Sequence, residues 1–496
     1  MPIGLQFEHL EHATLAELRM FADQAFSRVA GAPLRTGNTV RLLKDAEENY
    51  PAWLDAIAGA KHHVFFENYL IHEDHVGQKF ADALIAKSLQ GIDVYLIYDW
   101  MGCLGKASRR FWNQLREGGV NVRRYNPLDL DRPLSWLSRD HRKMLAVDGK
   151  VGFISGLCIG RMWEGQPEKN LEPWRDTGVE IQGPAVGDIE QAFSRMWEMT
   201  GHPLPGWKAS SVDPHATGDM NVRVVATVPA TAGLFRLDQL VAALARKRLW
   251  LTDSYFAGTS AYIQTLTAAA KDGVDVRLLV PNSTDIPVLR PLSSAGYRPL
   301  LKAGVRIFEW KGKMLHAKTA LADDRWARIG STNLNISSWF GNCELDAVVE
   351  DRAFALKMEE TYLEDLTNST EIILDAKRKT GIRPRPLSRD PRTRRSGGSV
   401  GRATAGALRI GNAVGAAFTD RRVLEPVEAR LMMVAGALLL TAAVVTALFP
   451  AVVAYPLSIL SVWFGGALLY RSFLLRREGR RRSSRGRDGS AKRSDV

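Results

Sequence analysis

Apolar and polar positions between residues 38 and 125 follow two different periods. Short apolar runs rich in β-branched and aromatic residues predict strands at 40–43, 63–69 and 93–99. Between them, apolar residues recur every three or four positions and predict helices at 50–60 and 80–89. This alternation predicts an α/β fold with a largely parallel or mixed sheet and helices on both faces.

The same order of elements occurs again later in the chain. Predicted strands at 250–255 and 274–280 flank a predicted helix at 262–271. The region between the two copies, near 200–220, contains several prolines and glycines and is the predicted seam. We therefore expect two homologous halves that associate about a pseudo-twofold axis.

Each half contains the pattern His-x-Lys-x-x-x-x-Asp. The offset between the copies is constant, because 316−141, 318−143 and 323−148 all give 175. One copy alone would be a weak signal, but two equivalent copies indicate a duplicated functional site. The six residues of the two motifs are the candidate catalytic set: His141, Lys143, Asp148, His316, Lys318 and Asp323.

The sequence around the first motif predicts a β-hairpin. A short apolar strand begins at Lys143, Asp148-Gly149 forms the turn, and a second strand starts at Val151. Since residues i and i+2 of a strand share a face, His141 and Lys143 should face one site. The aspartate stands at the far end of the hairpin, so we expect it to orient or pair rather than to do chemistry.

Further residues follow each motif at related positions. The second copy continues with Gly330-Ser331-Thr332-Asn333 and Asn342-x-Glu344, and the first continues with Trp174-Arg175-Asp176. Over roughly residues 38–365 these motifs resemble the phospholipase D superfamily, and within it bacterial cardiolipin synthases. The chain departs from that pattern at Cys158, which stands where the second copy has Asn333, and at Asn335, Ser337 and Ser338.

The resemblance implies a mechanism without a cofactor or metal. One histidine attacks phosphorus and forms a phosphohistidine, with His141 the choice by family analogy, and the other acts as acid and base. The lysines stabilise charge on the phosphoryl oxygens, and Ser331 and Asn333 bind the substrate. Asp176 and Glu344 are the carboxylates expected to orient the imidazoles.

The acceptor separates the functional alternatives. A phospholipid acceptor such as phosphatidylglycerol would yield cardiolipin and glycerol, whereas water would make the protein a hydrolytic phospholipase D. A nuclease is a third interpretation, which the basic composition permits, and a membrane scaffold with a dead site is a fourth. The intact histidines and lysines of both motifs favour an enzyme over a scaffold, and the residues around Trp174 favour a lipid over a specific nucleic acid.

The charge pattern points to a membrane surface. The net charge is +12, with much of the excess in a Pro-interleaved linker and in the C-terminal tail. Two apolar runs, 431–449 and 451–470, each have nearly the length of a membrane-spanning helix and are flanked by arginines. These features predict a transmembrane helical hairpin in a bacterial inner membrane, with the catalytic body on the cytoplasmic side.

The predicted organisation therefore has six parts. The N-terminus lacks the layout of a signal peptide, and three cysteines are too few for a disulfide framework. The oligomeric state is left open. The parts are an N-terminal amphipathic helix (1–37), a first phospholipase D-like half (38–200), a second half (221–370), a basic linker (371–425), the transmembrane hairpin (426–475) and a basic disordered tail (476–496).

Overall fold

The computed structural model describes residues 23–127, 138–166, 168, 171–207, 215–283, 285 and 296–373, with scattered positions between 440 and 470. A helix occupies residues 23–30, and the first half then follows. Its elements are β1 (Arg35–Lys44), α1 (Asp45–Gly59), β2 (His63–Asn68), α2 (His75–Leu89), β3 (Asp93–Asp99), α3 (Arg109–Glu117), β4 (Asn121–Tyr125), β5 (Lys143–Val147), β6 (Val151–Ser155), α4 (Arg161–Glu164), β7 (Thr177–Gln182) and α5 (Ala185–Met199).

The second half repeats this succession. Its elements are β8 (Met220–Thr227), α6 (Gly233–Leu244), β9 (Arg248–Thr252), α7 (Ser260–Lys271), β10 (Asp275–Pro281), α8 (Tyr297–Lys302), β11 (Arg306–Trp310), β12 (Thr319–Ala322), β13 (Trp326–Gly330), a π-helical turn (Ser337–Gly341), β14 (Glu344–Glu350), α9 (Arg352–Thr367) and β15 (Ser369–Ile372).

All fifteen of these strands belong to one mixed sheet. Its order is β15-β11-β10-β9-β12-β13-β14-β8-β1-β7-β6-β5-β2-β3-β4. Read outward from the β8–β1 junction, the two halves present their equivalent strands in the same sequence. The sheet order therefore confirms the duplication and places the halves side by side.

Consecutive residues of a strand contribute to different cores, which explains the continuous apolar runs. Phe65 packs in a cluster shared by both halves, whereas its neighbour Phe66 packs in a cluster formed mainly by the first half. In β14, Ala347 belongs to the shared cluster and Val348 to a third cluster within the second half. Both faces of the sheet are covered, as the sequence pattern predicts.

The predicted hairpin is confirmed in both copies. Strand β5 pairs antiparallel with β6, and β12 pairs antiparallel with β13. Asp148 has φ 56° and Gly149 has φ 65°, the left-handed conformation that a type I′ turn requires. Asp323 has φ 51° at the equivalent turn, so both motif aspartates occupy a turn position that Asp tolerates well.

Element ends differ from the predictions where side chains cap them. Helix α2 begins at His75 rather than near residue 80, because the Asp74 carboxylate accepts hydrogen bonds from the amides of Val76 and Gly77. Strand β9 ends at Thr252 rather than at 255, because the Asp253 carboxylate accepts from the amide of Tyr255 and turns the chain. Apolar periodicity does not contain this local hydrogen bonding.

The predicted transmembrane hairpin lies largely outside the described residues, as do the basic linker, the tail and residues 1–22. The described positions between 440 and 470 are mostly helical. Within the portion of the chain that the structure describes, no helix combines the length and apolarity needed to span a membrane. The hairpin stays a prediction from the sequence.

Candidate active site

The two motifs meet where one half pairs its backbone with the other. The amide of His141 donates to the carbonyl of Cys343 at 2.9 Å, and the amide of His316 donates to the carbonyl of Arg175 at 2.7 Å. Cys343 directly precedes Glu344, and Arg175 directly precedes Asp176. Each histidine is thereby held next to a carboxylate of the opposite half. The expected pseudo-symmetry is visible at the level of single hydrogen bonds.

The imidazoles are oriented across the seam. Nδ1 of His141 lies 2.9 Å from Oε2 of Glu344, and Nδ1 of His316 lies 2.7 Å from Oδ2 of Asp176. A carboxylate on Nδ1 fixes the proton there and leaves Nε2 with a free electron pair. Both expected orienting residues are therefore in position, and each acts on the histidine of the other half.

Each carboxylate is held by further donors, and these differ between the halves. Asp176 accepts from the indole Nε1 of Trp163 at 3.0 Å and from the amide of Thr177 at 2.9 Å. Glu344 accepts from the Ser331 hydroxyl at 2.6 Å and from the Asn342 side-chain amide at 3.2 Å. These bonds favour the charged form of both carboxylates.

Both motif lysines are fully buried beside their histidines. Lys143 donates to the carbonyl of His141, and Lys318 donates to the carbonyl of His316 and to the Ser254 hydroxyl, the latter at 2.9 Å. The Lys318 Nζ also lies 3.0 Å from Nδ1 of His316. Because that Nδ1 donates its proton to Asp176, we interpret the short distance between Nζ and Nδ1 as an electrostatic contact rather than a hydrogen bond.

The electrostatics of the site favour neutral imidazoles between ionised partners. Burial, opposed by the carboxylate and reinforced by the lysines, lowers the pKa of both His141 and His316 to about 4. Burial also lowers the pKa of Lys318 to about 8. For Asp176 and Glu344 burial raises the pKa, but the histidine, the lysine and the hydrogen bonds beside each carboxylate together outweigh it, and the pKa of each is lowered.

The two motif aspartates are not part of this cluster, which corrects their place in the predicted catalytic set. Asp148 accepts hydrogen bonds from the amides of residues 61–63, and Asp323 accepts from those of residues 246–248. Asp148 lies seven residues from His141 along an extended segment, roughly 23 Å of chain. The aspartates fasten the hairpin turn to the start of the neighbouring strand, as expected of a pairing role.

The two expected substrate-binding residues have different surroundings. The single hydroxyl proton of Ser331 goes to Glu344, and its oxygen accepts from the amide of Leu345 at 2.9 Å. Ser331 is therefore reassigned from substrate binding to orienting Glu344. Asn333 is buried, and its Oδ1 accepts no hydrogen bond, so the binding of substrate by its side chain stays a prediction.

Cys158, the counterpart of Asn333, is also buried. Burial raises the pKa of its thiol to about 11, so it is uncharged at neutral pH. A thiol is only a weak hydrogen-bond donor, which leaves the first half with a poorer contact to a phosphoryl oxygen.

Aromatic side chains surround both histidines, and the sequence alone assigned them no role in the site. The ring of Tyr69 lies 4.9 Å from that of His141, while Trp163 and Trp174 lie 5.4 Å and 5.6 Å from His316. Trp174 stands within the Trp-Arg-Asp motif of the resemblance and Tyr69 ends the predicted strand at 63–69, but Trp163 belongs to no pattern. Only the fold brings its indole to Asp176.

The described residues contain no group of three or more His, Cys, Asp or Glu side chains arranged to hold a metal ion. The site instead offers two ring nitrogens, two ammonium groups and two carboxylates. Such a set can supply a nucleophile, an acid–base group and positive charge around one phosphoryl group.

Comparison with known proteins follows the same division into halves. The family model described as "Cardiolipin synthase, PLD-like domain" matches residues 53–197 and 241–366, more than half of the chain. Cardiolipin synthase A of Pseudomonas aeruginosa is 32% identical over 362 residues, which cover 72% of each chain. Cardiolipin synthase 1 of Bacillus anthracis is 29% identical over 398 residues, 77% of each chain.

A solved structure shows the same fold. The phosphatidylserine synthase of Haemophilus influenzae superposes with a TM-score of 0.55 at 13% identity, covering 70% of this chain and 91% of its own. The family match, the relatives and the paired His–Lys site agree, and the chain belongs to the cardiolipin synthase family of phospholipase D-type enzymes.

Proposed function

We propose that the protein transfers a phosphatidyl group from one phospholipid to another through a phosphohistidine, with phosphatidylglycerol as donor and acceptor. The observation that carries this proposal is the crossed pairing of His141 with Glu344 and of His316 with Asp176. It supports two imidazoles whose Nε2 atoms serve one phosphoryl group. The names of the relatives favour cardiolipin as the product.

In the first step, Nε2 of His141 attacks phosphorus and forms the P–N bond. The P–O bond to the glycerol head group breaks, and its oxygen takes a proton from His316. Burial lowers the pKa of His316 to about 4, so this histidine needs the negative charge of the bound phosphodiester to become protonated. Lys143, Lys318 and Asn333 stabilise the charge on the phosphoryl oxygens.

In the second step, the glycerol hydroxyl of another phosphatidylglycerol attacks the phosphohistidine. His316, now neutral, removes the hydroxyl proton as the new P–O bond forms and the P–N bond breaks. The products are cardiolipin and one glycerol, and both histidines return to their initial state. Water in place of the acceptor would give phosphatidic acid.

The membrane-facing part of the proposal rests on the sequence. The apolar runs at 431–449 and 451–470, with arginines at both outer ends, would hold the catalytic body at a cytoplasmic membrane surface. Basic segments on either side would attract anionic lipids such as phosphatidylglycerol. Donor and acceptor would then be supplied from the same leaflet.

The test is mass spectrometry of lipids after incubation of the detergent-purified full chain with phosphatidylglycerol. We expect cardiolipin with an equal amount of released glycerol, and no turnover by the His141→Ala variant as control. Phosphatidic acid without cardiolipin would identify a hydrolase and contradict the transfer proposal. Absence of any lipid product, with cleavage of nucleic acid by the same sample, would favour the nuclease alternative.

The covalent step has a test of its own. Quenching the reaction in alkali preserves a phosphoramidate bond, so peptide mass spectrometry should find a phosphatidyl or phosphoryl adduct on His141. An adduct on His316 would reverse the two roles. No adduct under conditions of rapid turnover would argue against the phosphohistidine.

A further inference from the structure

We propose that Arg175 is a positioning residue, which ties helix α9 of the second half to the Asp176–His316 pair and keeps that pair aligned for proton transfer. The inference rests on the proposed transfer reaction, in which His316 is the acid and base. It concerns a residue whose side chain takes no part in the chemistry described above.

The guanidinium of Arg175 makes a bidentate ion pair across the seam. Its Nε lies 2.8 Å from Oδ1 of Asp365 on α9, and its Nη2 lies 2.9 Å from Oδ2 of the same carboxylate. Both side chains are about 5% exposed. Paired planar groups of this kind fix direction as well as distance, which a lysine cannot do.

The third nitrogen of the guanidinium, Nη1, contacts residues of the first half. Nη1 donates to the Thr177 hydroxyl at 2.9 Å, to the Asp176 carbonyl, and to the Asp45 carboxylate at 3.2 Å. The same oxygen of Asp45 accepts from the Asp176 amide at 2.8 Å. Asp45, Asp176 and Thr177 of the first half thus contact one side of the Arg175 guanidinium. Its other side binds Asp365 of the second half.

The backbone of Arg175 completes the link to the histidine. Its amide donates to the carbonyl of Met314 at 2.9 Å, and its carbonyl accepts from the amide of His316 at 2.7 Å. Asp176, whose carboxylate holds Nδ1 of His316, is the next residue. A displaced guanidinium would therefore move both the backbone and the carboxylate that orient this ring.

The surrounding packing leaves the side chain little freedom. The cavity beside Arg175 and Asp365 has a volume of only about 10 Å³. That space is close to the minimum for one water molecule, so little solvent can reach the ion pair from this side.

The equivalent position in the other half carries no such link. The residue before Glu344 is Cys343, which makes the matching backbone bond to His141. Its thiol lies 3.4 Å from the Tyr125 hydroxyl and carries no charge to pair with a helix. Within the part of the chain that the structure describes, this position therefore gives the Glu344–His141 pair no link like that of Arg175.

The test compares two ion pairs that join the first half to helix α9. Asp365→Asn disrupts the buried pair, while Lys44→Met removes the exposed pair between Lys44 and Glu364, which are 2.6 Å apart. We expect Asp365→Asn to lower kcat by about 10–100-fold with KM nearly unchanged, since small misplacement of a catalytic group has effects of this size. Lys44→Met should leave kcat within about twofold, as exposed pairs contribute little.

A spectroscopic readout separates positioning from mere loss of folding. In protein labelled with ¹⁵N-histidine, Asp365→Asn should change the ring resonances of His316 and leave those of His141 unchanged. Thr177→Val, which removes one uncharged acceptor of Arg175, should produce a smaller change in the same resonances. If Asp365→Asn fails to fold, Thr177→Val carries the test by itself.

Three results would overturn the inference. They are normal kcat in folded Asp365→Asn, equal losses in Asp365→Asn and Lys44→Met, and equal spectral changes at both histidines. Failure of the proposed function would be distinct, because the wild-type protein would then form no cardiolipin while the His316 resonances still responded to Asp365→Asn.

Discussion

The two halves share their catalytic groups but support them differently. The first half supplies His141 and Lys143 and the second supplies His316 and Lys318, all at a constant offset. Around Asp176 the donors are an indole and a backbone amide, whereas around Glu344 they are a hydroxyl and a side-chain amide. The catalytic histidine and lysine are therefore the same in both halves. The residues that support the carboxylates differ, because a Glu side chain is longer than an Asp side chain.

The difference is sharpest at the residue after the hairpin. In the first half, a Cβ on Gly156 would stand 2.1 Å from Oδ1 of Asp176, so the carboxylate occupies the space of a side chain. In the second half, Ser331 occupies the equivalent position and donates to Glu344. A short carboxylate beside glycine and a long carboxylate beside serine are two solutions to the same positioning problem.

The cores of the halves also differ. Phe153 in β6 packs against Trp53, with ring centroids 6.4 Å apart. The equivalent residue of β13 is Arg328, which is fully buried and lies 3.2 Å from Asp346 and 3.5 Å from Asp238. Apolar packing holds the first half where a buried ionic network holds the second.

The largest predicted effect concerns the histidines, which should be equally indispensable if one site is built from both halves. Either His141→Ala or His316→Ala should reduce kcat by at least about 10⁴-fold, because one removes the nucleophile and the other the acid–base group. Single-turnover assays with phosphatidylglycerol measure both losses. Substantial turnover in either variant would mean that each half works alone.

The buried network predicts a second large effect, on stability. Arg328→Met should lower the free energy of unfolding by about 3–5 kcal/mol at pH 7, because it leaves Asp238 and Asp346 without their cation. Burial already raises the pKa of both carboxyls to about 6. The folded state therefore binds protons more tightly than the unfolded state, and the variant should regain stability as pH falls from 7 towards 5.

Chemical denaturation at both pH values measures this change. Phe153→Leu in the first half is the matched control and should keep the pH dependence of the wild-type protein, since it alters no titrating group, whereas that of Arg328→Met should be steeper. Equal pH dependence in the two variants would contradict the assigned role of the network.

The carboxylate supports predict effects of intermediate size. Gly156→Ala should lower kcat about 100-fold, because its Cβ forces Asp176 away from His316. Ser331→Ala should lower kcat only about 10-fold, the loss expected from one hydrogen bond to a charged group. Steady-state kinetics on both variants rank them, and the reverse order would show that the two positions are not equivalent.

The smallest predicted effect is a shift in pH dependence. Asp253 caps the turn after β9 as Asn68 does after β2, and its carboxylate raises the pKa of Lys318, which burial holds at about 8. Activity should fall as pH rises through 8, because Lys318 then loses its charge. Asp253→Asn should move this alkaline limb of kcat/KM to lower pH, while Asn68→Ala should not.

The sequence was sufficient for the features that repeat. The constant offset predicts two hairpins and one paired site, and the alternation of periods predicts a mixed sheet with covered faces. The role of Arg175 could not be predicted, because its partner Asp365 lies 190 residues further along the chain. That of Ser331 could not be predicted either, because the sequence does not show that its hydroxyl faces Glu344. Nor does sequence alone show that Asp176 serves His316 rather than His141.

The most direct test of the crossed site follows single histidines when the carboxylates are changed. In ¹⁵N-histidine-labelled protein, Glu344→Gln should alter the ring-nitrogen shifts of His141 alone, and Asp176→Asn those of His316 alone. Each substitution would then be felt in the opposite half, as the 2.9 Å and 2.7 Å contacts require. If Glu344→Gln changed His316 and left His141 unaltered, each half would orient its own histidine and the account would be wrong.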